Sequence, residues 1–143
     1  MADTNSLIAA ARRTISVESD AVAALASRID ESFVHACEIM LNCSGRIIVT
    51  GMGKSGHVCN KIAATLASTG TPAFFMHPGE ASHGDLGMVT ESDVVLAVSY
   101  SGTTQEVLTI LPLIKRRGAA LISMTGANDS PLATEAKVHI NVA

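Results

Sequence analysis

Apolar residues recur along this chain with two different periods, and the change from one to the other falls near residue 46. Before it, Ile8, Ala11, Ile15, Val22, Leu25 and Ile29 keep a three-to-four-residue spacing, with Arg12, Arg13, Glu18 and Asp20 off the stripe. That spacing predicts an amphipathic helix. Asp30 predicts a break, and a second helix carries Phe33, Cys37, Met40 and Leu41 before Asn42-Cys43-Ser44-Gly45 stops it. Residues 1–45 read as an N-terminal helical arm.

From Arg46 onward the apolar residues come in short continuous runs, each followed by small polar residues and then a helical period. The runs are Ile47-Ile48-Val49, Ala73-Phe74-Phe75-Met76, Val94-Val95-Leu96-Ala97-Val98 and Leu121-Ile122-Ser123-Met124. Each is too short for a helix and fits a strand buried on both faces. Val138-His139-Ile140-Asn141-Val142 alternates instead, as an edge strand does. Helices are predicted from Ser55 to Thr69, closed by Gly70, and from Thr104 to Arg117, closed by Gly118, with Pro112 inside the second. The fold class is α/β: residues 46–143 form a three-layer αβα sandwich on a five-stranded parallel sheet, preceded by the two N-terminal helices in one domain of residues 1–143. Such a sheet directs ligands to the loops at the carboxyl ends of its strands.

Composition narrows the function. A net charge of −3, with Lys115-Arg116-Arg117 as the one basic run, argues against a nucleic-acid partner; that run sits where it complements a helix dipole. Cys37, Cys43 and Cys59 are odd in number and make no C-x-x-C, so neither a disulfide framework nor a zinc finger is expected. No run of about 18 apolar residues occurs, and the N-terminus lacks a signal-peptide pattern. The expectation is a cytoplasmic protein with no membrane partner.

Three loops carry chemistry. Gly51-Met52-Gly53-Lys54-Ser55-Gly56 satisfies G-x-G-x-x-G at a strand-to-helix turn. A dinucleotide site needs an acid at the end of the next strand, where Phe74-Phe75-Met76-His77 stands, and a nucleotide P-loop needs Gly where Ile48 stands. What survives is a glycine loop at a helix start, with Lys54 supplying a positive charge for a phosphorylated small molecule. The second loop, Ser99-Tyr100-Ser101-Gly102-Thr103-Thr104-Gln105-Glu106, sets hydroxyls around a glycine at a helix start, a phosphate cradle. Thr103-x-x-Glu106 also reads as a capping box, so Glu106 can be a cap, an acid-base group or both. The third, from His77 to Gly87, holds His77, Glu80, His83 and Asp85. Pro78 and Gly79 are expected to prevent the helix that would align these for a metal; polyol binding, occasional metal binding and a structural loop remain open.

Gly51-Met52-Gly53-Lys54-Ser55-Gly56-His57, the segment Ala67 to Pro72, the run His77 to Met88, and Ser99-x-Ser101-Gly102 resemble the arabinose 5-phosphate isomerases of the SIS (sugar isomerase) superfamily. The resemblance implies a flavodoxin-like fold and interconversion of D-ribulose 5-phosphate and D-arabinose 5-phosphate through an enediol, the entry to Kdo for lipopolysaccharide or capsule. It implies that Lys54 and Glu106 are catalytic; enediol chemistry needs a further acid or base, for which His83 is the second candidate. Substrate contacts would come from Gly53, Ser55, Gly70, Thr71, His77, Glu80, His83, Ser99, Ser101, Gly102, Thr103 and Thr104. No cofactor is required on this reading, His77 is a site for inhibitory zinc, and a homotetramer is expected. Tyr100 and Thr103 depart from the asparagine and glutamate of many relatives, and the chain lacks the later acid-base residues and CBS domains, so it reads as a trimmed domain of weak or no activity. Two alternatives stand beside it: a non-catalytic sugar-phosphate-binding module, and an isomerase for another sugar phosphate.

Overall fold

The computed structural model describes residues 3–143, so the first two residues of the expected arm lie outside the described residues. Each predicted apolar run forms a strand: β1 (Ile47–Gly51), β2 (Ala73–Phe75), β3 (Val94–Val98), β4 (Ala120–Thr125) and β5 (Val138–Asn141). They make one sheet in the order β2-β1-β3-β4-β5, with every neighbouring pair parallel. The fold is the expected αβα sandwich.

Alternate residues of each strand feed different cores, because successive side chains point to opposite faces. Ile47, Val49, Val94, Leu96, Ile122 and Val138 pack with Ala36 of α2 (Glu31–Leu41) and with Cys59 and Ala63 of α3 (Gly53–Ser68). Ile48, Val95, Ala97 and Leu121 pack on the other face with α5 (Gln105–Arg117), where Val107, Ile110, Leu111 and Ile114 are buried. Ala81 of α4 (Pro78–Ser82) and Leu132 of α6 (Pro131–Glu135) complete that face. Leu, Ile and Val therefore fill the interior that scarce aromatics leave to them.

The structure departs from the sequence reading at three places. The chain divides into two compact units at Asp30, so the boundary falls at residue 30 rather than 45. The first unit holds α1 (Thr4–Leu25) and a 3-10 turn, Ala26–Arg28, and none of its described residues is buried. α2, expected in the arm, instead contributes Ala36 to the sheet core. An amphipathic stripe says that a helix buries a face and leaves open which face of the protein covers it. Second, Pro78 starts a helix rather than preventing one, because proline is favoured at the first helical position where its missing N–H has no partner to lose. Third, α6 was not expected; Ser130 caps it by accepting from the Ala133 N–H, and Pro131 follows at its first turn.

At the amino edge of the sheet, Asp93 joins the starts of β1 and β3. Its carboxylate accepts from the Arg46 N–H at 2.8 Å, from the Arg46 guanidinium at 3.2 Å, and from the Thr90 N–H at 2.8 Å. Burial alone would raise this carboxyl, but the hydrogen bonds from Arg46 and Thr90 outweigh it and hold it below the ordinary carboxylate value. The folded pKa is thus the lower one. The stability it contributes is complete above the unfolded value of about 3.9 and is lost as pH falls through the folded one. Asp93→Asn sets an amide N–H₂ or a weaker oxygen against these donors, and should lower unfolding free energy by about 2 kcal/mol at pH 7. Urea melts at pH 7 and pH 3 check this: the gap between wild type and variant should shrink at pH 3, and equal midpoints at pH 7 would refute it.

Candidate functional site

The order of strands reverses between β1 and β3, and at that point the loops leaving their carboxyl ends diverge. Gly51 pairs with Val98 in register, so the two loops begin side by side. From β1 the chain turns through Met52 into α3, which begins at Gly53 and carries Lys54 and Ser55 in its first turn. α3 lies against β1 because Gly56 has no side chain: a Cβ there would stand 2.8 Å from the Gly51 carbonyl oxygen. Beneath the turn, burial pushes the Cys59 thiol up to about 11, and it stays protonated as a donor to the Thr50 carbonyl at 3.3 Å. Lys54 is exposed at the helix start. The order β2-β1-β3-β4-β5 differs from that of dinucleotide folds, in line with the missing acid after β2.

From β3 the chain enters the hydroxyl turn. Ser99 Oγ pairs with Thr104 Oγ1 at 2.8 Å and accepts from the Gly102 N–H at 3.2 Å. Ser101 Oγ accepts from the Thr103 N–H at 3.3 Å and from the Thr103 hydroxyl at 3.1 Å. The expected capping box does not form. The residue before α5 is Thr104, and it makes no side-chain cap, while Thr103 is taken up by the turn at Gly102. Glu106 accordingly sits in the first turn of α5 without a capping role.

A second turn, after β4, supports the first from below. Gly102 has φ +65°, and a Cβ there would lie 2.0 Å from Ser130 Oγ. Its carbonyl accepts from the Leu132 N–H at 3.2 Å, and the Tyr100 carbonyl accepts from the Gly126 N–H at 2.8 Å. Thr125 and Ser130 both donate to the Ala127 carbonyl at 2.8 Å. Asn128 is held in turn by His139 Nε2 at 3.3 Å and by the Asn141 amide at 2.6 Å. His139 Nδ1 meets Ser123 Oγ at 3.1 Å, so Ser123 donates to it when Nε2 carries the ring proton. Burial pulls this imidazole below its ordinary value, with the bond to Ser123 opposing.

The loop after β2 reaches the same edge: the Met76 N–H donates to the Val49 carbonyl at 3.0 Å, and Thr50 Oγ1 donates to the Met76 carbonyl at 2.7 Å. His77 caps α4, its Nδ1 accepting from the Gly79 N–H at 3.2 Å. A neutral ring so engaged carries its proton on Nε2 and offers a donor there. Glu80 lies in the first turn of α4 and His83 at its end, both exposed. Among the described residues no three His, Cys, Asp or Glu side chains gather as a metal site. Between α4 and the start of α5 lies a cleft of about 310 Å³ lined by Pro78, Gly79, Ser82, Gln105, Glu106 and Thr109.

Gly53, Lys54, Ser55, His77, Glu80, His83, the hydroxyl turn and Glu106 thus belong to loops and helix starts at the carboxyl edge. Gly70 and Thr71 do not. They follow α3 and precede β2, where the Thr71 N–H donates to the Leu66 carbonyl and the Ile47 N–H to the Pro72 carbonyl, at the amino edge. Sequence reasoning missed Ser82, Gln105, Thr109 and the supporting turn at Thr125 to Ser130. Ser130-Pro131, a cap residue followed by proline, was the one signal for the latter.

A family model for the SIS domain matches residues 40–143. The chain belongs to the SIS-domain family. It is 63% identical over 134 residues to arabinose 5-phosphate isomerase KdsD of Pseudomonas aeruginosa, an alignment covering 94% of this chain and 41% of that protein. An Escherichia coli CFT073 protein solved in complex with arabinose 5-phosphate superposes with a TM-score of 0.94 at 39% identity, over 99% of this chain and 75% of that one. A Listeria monocytogenes protein proposed to be a sugar-phosphate isomerase gives 0.97 at 30% identity, over 100% and 75%. This SIS chain spans about two fifths of the length of the curated relatives it matches. No helix among the described residues is long and apolar enough to cross a membrane.

Gly102 offers a direct test of the hydroxyl turn. Gly102→Ala combines a left-handed backbone, unfavourable by about 1–2 kcal/mol for an L side chain, with the collision at Ser130. It should lower the melting temperature and weaken inorganic phosphate binding at least tenfold, read by calorimetry. Undiminished binding would show that this turn does not hold the anion.

Proposed function

We propose that this SIS chain forms the sugar-phosphate site of an arabinose 5-phosphate isomerase, interconverting D-ribulose 5-phosphate and D-arabinose 5-phosphate on the way to Kdo. The observation that carries the reading is the placement of Glu106, two residues after the hydroxyl turn and inside a cleft beside it. The 63% identity to an enzyme named for this reaction supports it. Ser99, Ser101, Gly102, Thr103 and Thr104 take the phosphate with the N–H groups at the helix starts, joined by Gly53 and Ser55. A phosphate fixed there orients the reacting carbons at the far end of a five-carbon chain, which lowers the entropic part of the barrier.

In the ketose-to-aldose direction Glu106 removes a proton from C1, and the C2 oxygen gains a proton, giving the 1,2-enediol. The O1 proton then leaves and C2 is protonated, so that one hydrogen has moved from C1 to C2 and one from O1 to O2. No electrons leave the substrate and no cofactor is needed. Lys54 stabilises negative charge developing on the oxygens, and His83 passes the proton between them. His77 and Glu80 bind sugar hydroxyls from α4. His77 would hold an inhibitory zinc through Nε2, with the ring proton then on Nδ1 and the cap on Gly79 given up.

The protein works in the cytoplasm as a homotetramer on this reading. α1 leaves Ile15 70% and Val22 67% exposed, an apolar stripe suited to a second copy. Gly70 and Thr71, at the amino edge, would then meet substrate from a neighbouring subunit.

Glu106→Gln removes the basic carboxylate, keeps the shape and disturbs no cap. A coupled assay on the full-length protein should show turnover reduced roughly 10²–10⁴-fold, with the melting temperature within about a degree of wild type. Retained turnover would remove Glu106 from the mechanism, and a wild type that turns over neither pentose phosphate would overturn the isomerase reading.

A further inference from the structure

Ser82, Gln105 and Thr109 stand with Glu106 in the cleft between α4 and α5, and the proton transfers of the isomerisation make no use of them. Thr109 follows Glu106 by three positions and Gln105 by four, spacings that bring side chains together on one side of a helix. Both hydroxyls already donate their protons. Ser82 Oγ donates to the Gly79 carbonyl at 2.6 Å, and Thr109 Oγ1 donates to the Gln105 carbonyl at 2.8 Å. Each keeps lone pairs that can only accept. The Gln105 amide nitrogen donates one of its two N–H bonds to the Thr103 carbonyl at 3.5 Å, leaving the other as a donor and its oxygen as a further acceptor.

Together with the Glu106 carboxylate, these groups make a wall in which acceptors outnumber the one Gln105 N–H donor, and the cleft lining includes no cation. Such a wall repels a phosphate, whose oxygens are acceptors themselves and carry negative charge. It suits the O–H donors of a polyol. Donors prevail toward the hydroxyl turn, since α5 and α3 point their first N–H groups out of that edge and those of α5 at Gln105 and Glu106 adjoin the cleft. Phosphate and carbon chain are therefore sorted by hydrogen-bond polarity: the anion goes to the helix starts, and the hydroxylated carbons go to the α4–α5 cleft.

We propose that Ser82, Gln105 and Thr109 form a polyol subsite, accepting hydrogen bonds from the sugar hydroxyls and setting the carbon chain against Glu106, so that configuration is read there. This rests on the sugar-phosphate reading of the same site. It gives the α4 helix, which begins at His77-Pro78, a direct part in choosing the sugar.

The test compares ligands that share a phosphate and differ in the polyol. Calorimetric titration of the full-length protein with arabinose 5-phosphate and with inorganic phosphate is run on wild type, Thr109→Val, Thr109→Ser and Ser82→Ala. Thr109→Val keeps the shape and removes the acceptor, and should weaken arabinose 5-phosphate roughly three- to tenfold while leaving inorganic phosphate within twofold. Thr109→Ser restores the oxygen and should restore the affinity; Ser82→Ala repeats the loss on the opposite wall. Equal weakening of both ligands, or of neither, overturns the subsite. If wild type binds no arabinose 5-phosphate, the isomerase reading fails separately, and the same variants are titrated with ribose 5-phosphate and glucose 6-phosphate. A protein that binds those no better than inorganic phosphate has no polyol subsite.

Discussion

The parallel pairing of β1 with β3 is the constraint on which the rest of the molecule depends. β1 pairs with β2 on one side and β3 on the other, so the chain that built outward in one direction must return and build in the other. α3 packs on one face of the sheet and α5 on the opposite face. Loops leaving adjacent strands for opposite faces cannot cover the crevice between them. The glycine turn at Gly53 and the hydroxyl turn at Ser99 to Thr104 flank it for that reason. Asp93 fixes the register from the other end, through Arg46 and Thr90.

The strands were legible because both faces of the sheet are covered. Ile47 and Val49 serve one core and Ile48 the other, so an unbroken apolar run is the only pattern that suits β1. β5 has half-buried residues after Val138, and its alternation showed in the sequence for that reason. Short helices were not legible. α4 and α6 have five residues each, too few for a 3.6-residue period to declare itself. His77-Pro78 and Ser130-Pro131 are the traces they leave, a capping side chain followed by a proline that has no N–H to offer. The capping box expected at Thr103 does not form, because the left-handed turn at Gly102 draws Thr103 to Ser101 and leaves Thr104, which makes no side-chain cap, before the helix.

The hydroxyl turn is held by its own hydrogen bonds. Ser99, Ser101, Thr103 and Thr104 are bonded to one another or to the turn's own backbone, and the turn rests on Ser130 and Leu132 from the next connection. A loop ordered in this way loses less conformational entropy when an anion binds than one that must first be assembled. The same support explains the polar residues near the ends of β4 and β5. Thr125, Ser130 and His139 contribute little apolar packing, yet they hold the turn after β4 that supports the hydroxyl turn. Of these only Ser130, as a cap before Pro131, left a trace in the sequence; the partners of His139, Ser123 and Asn128, are distant in the chain and match no motif.

Gly70 and Thr71 show what a parallel sheet forbids within one chain. A connection at the amino edge and one at the carboxyl edge can look alike in sequence, each a few small polar residues beside a strand. They are separated by the length of the strand between them. β1 has five residues, and at roughly 3.3 Å per residue its ends stand farther apart than a pentose phosphate can bridge. A substrate held at the hydroxyl turn cannot reach Gly70 and Thr71 of the same chain. A contact with them requires a second copy placed edge to edge across the site, and an assembly with that geometry would be part of the active centre.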